Sequence, residues 1–486
     1  MTRSALFSML LIPMMTPCLK GDDVLDIGSR RELFVDHFLI DKLAGAELKL
    51  HSPQSAGVVF HLNKPWEGIV SGYFTIIRDP AIGKYHMYYR GRPATMGADA
   101  THAAREVACY AQSDDGIHWH RPNLGLFEVA GTRENNVVLT EPKNVTHNLV
   151  PFLDTRPGVP DDRRWKAVGG TGKQGLFGFV SADGVHWKPV KEESLIRKGA
   201  FDSQNVVFWS QHENRYLCYF RTFRHGVRWI SRATSNDFLN WDEPVDMDFG
   251  DAPNEHLYTN QTRPYFRAPH IYIATPARFN PGRWALTPEQ EREIDLKNPN
   301  NYQHLGGATS DAVFMTSRGG NVYDRTFLES FIRPGSDLHN WVARANYPAL
   351  GVVPTGPKEM SIYIQRRYGQ PSTHIERLTL RIDGFVSVNA PYGGGELVTK
   401  PIRFEGRELE VNFSTGAAGG MRVEIQDADG KPIDGYGVDA CPEIIGDQID
   451  RVVAWKSGSD VSPLAGRAIR LRFVLKDADL YSIRFR

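Results

Sequence analysis

One seven-residue stretch recurs and constrains what this chain can fold into. Ser113-Asp114-Asp115-Gly116-Ile117-His118-Trp119 returns almost unchanged as Ser181-Ala182-Asp183-Gly184-Val185-His186-Trp187. Ser235-Asn236-Asp237-Phe238-Leu239-Asn240-Trp241 is the same device with Phe in place of Gly. Ser317-Arg318-Gly319-Gly320 and Arg381-Ile382-Asp383-Gly384-Phe385 are weaker copies. Each follows an apolar, strand-like run. Asp-Gly makes a tight turn with positive φ, and the aromatic that follows returns to the sheet. The copies are spaced by roughly 55–80 residues, about one four-stranded blade with its loops. Five copies imply five blades, residues 30–392, in an all-β protein.

A chain of 486 residues has room for a second domain. From Leu397 to Arg486 the turn device is absent and short alternating runs take over, with a hairpin turn at Asp429-Gly430. This predicts a C-terminal β-sandwich over 396–486. The run Glu32 to Ile40 is β-rich and is expected to close the ring by completing the last blade. An insertion from Arg278 to Ser310 interrupts the fourth blade, and Thr287-Pro288-Glu289-Gln290 starts a short helix inside it.

Lys plus Arg and Asp plus Glu both number 57, so no net charge steers the chain to nucleic acid. After residue 20 no apolar run is long enough to span a bilayer. Residues 1–20, with Arg3 ahead of an apolar Ala5 to Met15, read as an export signal, hence a secreted or periplasmic protein. Met15-Thr16-Pro17 is a poor lipoprotein signal before Cys18. Cys109, Cys218 and Cys441 have no metal-site or disulfide spacing, and the first two sit in strand-like runs as buried small hydrophobes.

In a ring of blades, ligands meet the residues that precede each innermost strand. Here these are Trp66 and Glu67, His147 and Asn148, Asp202 with Gln204 and Asn205, Glu255 with Tyr258, Asn260 and Gln261, and Glu359. Amides hydrogen-bond hydroxyls, aromatic faces stack on sugar rings, and glycoside hydrolysis needs one protonated and one ionised carboxyl group. Glu67, Asp202 and Glu255 are the candidate catalytic acids. The others would bind substrate. Arg90 and Arg221 end the second strand of two blades. They fit an inter-blade ion pair or an anionic sugar. His118 and His186 belong to the turns and carry no chemistry.

The blade device resembles the Ser-x-Asp-Leu-x-x-Trp turn of the five-bladed propeller glycosidases, the arabinanase, xylosidase, levansucrase and invertase superfamily. Ser235 to Trp241 is the closest copy. The resemblance implies a glycoside hydrolase with three acids, with Glu67 expected as base or nucleophile, Glu255 as general acid and Asp202 as the group that stabilises the oxocarbenium-like state. It departs where the first acid should be Asp and is Glu67, and where the second blade offers His147 and Asn148 in place of an Asp. Runs such as FVDHFLIDKL, FDSQN, EHLYTNQ and VEIQDADGKPI also resemble secreted proteins of planctomycete-type bacteria, which implies no activity. No cofactor is required; a structural divalent cation among the channel acids is compatible with this reading. The expected partner is a carbohydrate substrate, with no nucleic acid and no membrane span. The rival readings are a non-catalytic glycan-binding propeller and a sialidase-like enzyme, the latter disfavoured by five turns where six blades are needed.

Overall fold

The computed structural model describes residues 24–93, 106–140, 145–296 and 305–486; the expected export signal and Cys18 lie outside them. Almost every element is a strand. The one α-helix among the described residues, Pro288–Glu293, starts at the predicted place, with Thr287 and Gln290 forming a reciprocal capping box.

Five antiparallel sheets follow one another. The first runs Gly72–Asp79, Lys84–Gly91, Val107–Ser113 and Val137–Thr140. The second runs Val150–Leu153, Trp165–Gly169, Phe177–Ser181 and Lys188–Pro189, and the third Val206–Ser210, Arg215–Arg224, Val227–Ser235 and Val245–Asp246. The fourth is split: Arg263–Tyr265, Ala268–Ala274 and Met315–Ser317 form its body, and the hairpin Ala277–Pro281 with Ala308–Ala312 extends from it. The fifth pairs Tyr347–Pro348 and Val353–Pro354 with Glu359–Arg366, then His374–Arg381.

The first strands of the first four sheets lie side by side, the fourth sheet meets the fifth through Ala308–Ala312 against Tyr347–Pro348, and Val353–Pro354 returns to Gly72–Asp79. Backbone bonds seal that return, with Ile76 N–H donating to Leu350 O at 2.7 Å and Leu350 N–H to Phe74 O at 2.8 Å. The circuit of sheets is closed.

Its last sheet takes its outer strand from Gln54–His61, paired with His374–Arg381. This corrects the expectation for Glu32 to Ile40. Glu32–Leu33 pairs instead with the C-terminal strand Ile469–Phe485, and Ile40–Ala44 with Gly395–Thr399. The reason is burial. Leu33, Phe34, Val35 and Leu39 are apolar and fully buried, Phe34 and Leu39 in the core of the C-terminal unit, whereas Gln54–His61 is a mostly exposed edge that buries only Phe60. The C-terminal unit is one ten-stranded sheet built from 25–50 and 386–486. Its long strands Leu409–Asp427 and Ile469–Phe485 pair through two register shifts, around a core that includes Phe404, Phe413, Trp455 and Phe485.

The three strong turns share one hydrogen-bond pattern. In the first, Ser113 Oγ accepts from the N–H groups of Asp115 and Gly116, and Asp115 Oδ1 from those of Ile117 and His118. Ser181 and Asp183, then Ser235 and Asp237, repeat it. The fourth residue of each has positive φ: Gly116 75°, Gly184 78°, Phe238 72°. Glycine is required at 184 because an added Cβ would lie 2.4 Å from the Tyr88 hydroxyl, which donates to Gly184 O. The weak copies are different objects. Ser317 has no Asp two residues on, and Asp383 is a buried acceptor for Tyr265, Arg267, Asn412 and Ser482 that ties the sheet circuit to the C-terminal unit.

Candidate functional site

The entrances of the five innermost strands carry unusual backbone. Tyr73 (φ 59°), Asn148 (φ 51°), Gln261 (φ 48°) and Asn346 (φ 65°) precede or open four of them in the left-handed region. Such conformations persist only where the surroundings fix them, and they gather at functional sites. The side chains they introduce meet at one end of the circuit.

The centre of that end is plugged. Gln204 Nε2 donates to Phe74 O at 2.9 Å and to Thr75 Oγ1 at 3.0 Å; Gln261 Nε2 donates to Gln204 Oε1 at 2.6 Å and to Pro348 O at 2.7 Å. Both are buried, as is Asn205, whose amide bonds Phe201 O and Ser203 O. These amides therefore staple the first, third, fourth and fifth sheets together and form a floor, not hydroxyl-binding groups.

Above the floor lies a charged chain. His147 Nδ1 donates to Glu106 Oε2 at 2.5 Å and Nε2 donates to Asp202 Oδ1 at 3.1 Å. Both acceptors are carboxylates, so both ring nitrogens carry protons and the ring is imidazolium. Burial opposes that charge, but the bonds to Asp202 and Glu106 outweigh it and raise the His147 pKa. Glu106 is buried too, and Arg90 with His147 overcomes the burial and lowers its pKa to about 2. Arg90 Nη1 stands 3.6 Å from Glu106 and donates to Asn148 Oδ1 at 3.1 Å. The Asp202 side chain is 62% exposed; the His147 bond, then the charges of His147, Arg221 and Arg90, hold it ionised well below the usual carboxylate range. Asp202 is thus an anion open to solvent and fixed from behind.

Around it stand aromatic rings and arginines from the first, third, fourth and fifth sheets. Tyr258, Phe279 and Tyr347 share a buried cluster, with Tyr73 against it. Arg221 lies 5.0 Å and Arg228 4.8 Å from the Tyr258 ring centre, Arg90 4.7 Å from Tyr73, and Arg344 5.8 Å from Tyr368.

Of the expected site residues, Asp202, His147, Asn148, Arg90, Arg221 and Tyr258 belong to this mouth. Glu67 does not. Its side chain is fully buried beneath the first sheet, accepting from Tyr89 Oη at 2.6 Å, Arg121 Nε at 2.7 Å and Lys64 N–H at 2.9 Å. Trp66 is buried beside it, donating to Asn136. Glu255 is held by Arg278 Nη1 and Arg325 Nη2, both at 2.8 Å. It lines a separate cleft of about 670 Å³ with Asp311, Arg283, Arg333 and Trp341. The alternation of strand Ala277–Pro281 explains this: Phe279 faces the mouth cluster, while Arg278 and Asn280 face the cleft. Glu359 sits at the other end of the fifth sheet, bonded to Arg377 and Thr355.

Glu106, Tyr73, Arg228, Arg344, Tyr347 and Tyr368 were not singled out by sequence. The missed signal was the partner of His147: a buried imidazole between two blades calls for a carboxylate, and Glu106 opens the third strand of the preceding blade. Among the described residues no group of three His, Cys, Asp or Glu side chains is arranged to hold a metal ion, and no helix is long and apolar enough to cross a membrane.

No family model and no curated protein matches this chain, so the likeness to planctomycete-type secreted proteins gains no support there. Solved structures align with it at low identity and low TM-score, glycoside hydrolases among them. A family 43 arabinoxylan arabinofuranohydrolase from Bacillus subtilis, in complex with cellotetraose, aligns over 87% of this chain and 96% of its own at TM-score 0.42 and 12% identity. A fructofuranosidase from Schwanniomyces occidentalis, complexed with fructosylnystose, aligns over 90% and 98% at TM-score 0.39 and 10% identity. An N-acetylgalactosamine deacetylase from F. plautii, in complex with blood group B trisaccharide, aligns over 70% and 96% at TM-score 0.41 and 12% identity. These likenesses concern the course of the strands; the chemistry rests on the side chains just described.

Proposed function

We propose that this protein is an exported glycoside hydrolase, its circuit of sheets a five-bladed propeller and its ten-stranded unit a β-sandwich. One observation carries the reading. Asp202 is ionised, open to solvent, and hydrogen-bonded by a buried imidazolium at the meeting point of the sheets. Tyrosine faces beside it suit the apolar faces of sugar rings. Glycosidic cleavage needs a proton for the leaving oxygen and a carboxylate for water or for the anomeric carbon. Asp202 supplies the second. Both N–H groups of His147 are bound by carboxylates, so the ring holds Asp202 ionised and in place while the leaving oxygen takes its proton from solvent. Asp202 takes the proton of the attacking water and releases it to solvent. Glu106, held by Arg90, keeps His147 charged between turnovers.

This is not the expected three-acid arrangement. A donor and a carboxylate 3.1 Å apart are closer than the roughly 5 Å or more that separates paired carboxylates. Glu67, Glu255 and Glu359 are each closed by arginine. That closure favours the second reading, a glycan-binding propeller without turnover.

Purified native chain and Asp202→Asn, incubated with neutral and acidic plant and algal polysaccharides, separate the two. Released reducing ends with the native chain but not the variant support hydrolysis. Binding by both, with no release by either, supports the second reading and sinks the first.

A further inference from the structure

The mouth holds more positive charge than its own carboxylates balance. Arg90, His147, Arg221, Arg228 and Arg344 face only Glu106 and Asp202 among the described residues, and Glu106 is already engaged by His147 and Arg90. Arg221 makes one polar contact, Nε to Ala200 O at 3.1 Å, and otherwise lies against Tyr258 and Phe223. Arg228 meets His256 Nδ1 at 3.2 Å, and its Nε is buried with no partner. His256, neutral or cationic, is never a counter-charge; burial and the Arg228 charge lower its pKa and favour the neutral ring. Arg344 has no carboxylate within ion-pair distance among the described residues, stands over Tyr368, and is held at φ 63°. Arg228 also feels the like charges of Arg221 and Arg344, which together with burial lower its pKa.

Three guanidinium groups held near one another, partly out of water and without a carboxylate, are costly in the empty protein. Many half-buried arginines elsewhere are paired, Arg278 with Glu255 and Asp311, Arg232 with Glu213, Arg318 with Glu32 and Asp36. Arg263 is also desolvated by burial without a carboxylate among the described residues; the mouth differs in gathering three such arginines against shared tyrosine rings. Stacking on tyrosine fixes each planar fork while leaving its N–H edge free for an anion.

We infer that the glycan this mouth takes carries an anionic group, a carboxylate or a sulfate ester, that seats between Arg228 and Arg344 beside Tyr258. This deepens and rests on the reading of the mouth as a glycan site. Arg221 and Arg228 lie over Tyr258, and Arg344 is close enough to feel the same ring and Tyr347, so an anion among them would take charge-assisted bonds from more than one side.

The test is calorimetric binding to full-length Asp202→Asn, which stops turnover. The probes are an oligogalacturonate and its carboxyl-reduced counterpart, and a sulfated galactan oligosaccharide and its desulfated counterpart. At least one acidic probe should bind roughly tenfold to hundredfold more tightly than its neutral counterpart, the usual worth of a charge-assisted bond. Whichever pair shows the difference identifies the group. Adding Arg228→Gln or Arg344→Gln should abolish the difference, Arg344→Lys should retain part of it, and added salt should weaken the acidic probe alone. Equal affinity within both pairs, a preference untouched by either Gln variant, or no binding of any acidic probe overturns the inference. Its failure is separable from failure of the hydrolase reading. Cleavage of a neutral glycan without acid preference leaves hydrolysis standing, and acid-selective binding without cleavage by the native chain does the reverse.

Discussion

His147 stands between two carboxylates, 2.5 Å from Glu106 and 3.1 Å from Asp202, and both of its ring nitrogens donate. The three charges depend on one another, so their titrations set a pH window. Glu106 has a folded pKa of about 2 against an ordinary 4.5, so its contribution to stability is present above 4.5 and is lost as pH falls towards 2. Asp202 is also depressed and behaves in the same sense. His147 is raised, so its contribution is full below the ordinary 6.5 and is lost as pH rises through its folded pKa.

All three stability contributions are therefore fully present between about pH 4.5 and 6.5, and in the folded protein the charges themselves persist above 6.5, up to the raised pKa of His147. kcat/KM should be flat there and fall on a basic limb above it. His147→Gln should lower the rate by about two orders of magnitude or more and remove that limb. Its unfolding free energy should approach that of the native chain as pH rises. A basic limb that survives the substitution assigns that titration to another group.

Asp202→Asn and Glu67→Gln distinguish a reacting carboxylate from a structural one. Asp202→Asn should lose about two to four orders of magnitude in turnover, and its melting temperature should fall less than that of Glu67→Gln, because its side chain is exposed although it pairs with His147. Glu67→Gln should do the opposite. It leaves Arg121 beside Phe60, at 3.7 Å from the ring centre, without its carboxylate, and breaking such a pair costs about 3 kcal/mol. Chemical denaturation and rate per folded molecule give the two readouts; Glu67→Gln with normal stability and no turnover returns Glu67 to the reaction.

Much of this was legible because it is local. A Ser and an Asp two residues apart cap their own turn, so three turns and their strands could be read from single segments. Asp202, His147, Arg90, Arg221 and Tyr258 were found because strand ends map onto one end of a circuit. Glu67 and Glu255 were misread for the complementary reason. An acid before a strand looks the same whether it faces solvent or an arginine, and Arg121 lies 54 residues from Glu67. The closing strand was misread because apolar content marked Glu32 to Ile40, whereas a sheet edge such as Gln54–His61 needs only backbone pairing. Arg344 and Tyr73 gave no sequence signal, since their role depends on a backbone conformation that neither residue type announces.

Asp383 joins the two units. It accepts from Arg267 Nη1 at 3.0 Å, Tyr265 Oη at 2.8 Å, Asn412 Nδ2 at 3.1 Å and Ser482 Oγ at 2.7 Å, with Arg31 3.8 Å away. Asp383→Ala leaves these donors buried and facing one another. A loss of about 3–5 kcal/mol is expected, seen as a lower denaturation midpoint. A separate early transition would show that the sheet circuit and the C-terminal unit melt independently once this acceptor is gone.

Phe238 offers a test in which two effects oppose each other. It occupies the position that is Gly116 and Gly184 in the other turns, and its φ of 72° is one that a side chain resists by about 1–2 kcal/mol. Phe238→Gly restores the repeated sequence and removes that strain. It also removes a side chain that is 1% exposed and packs against Phe152, Tyr216 and Trp241. Deleting a buried Phe costs about 3–5 kcal/mol, so packing outweighs strain. The variant should be destabilised by about 2 kcal/mol or more, read from urea unfolding at constant m-value. A stabilised variant would mean that the turn alone, not the ring it carries inward, sets the strength of the third sheet.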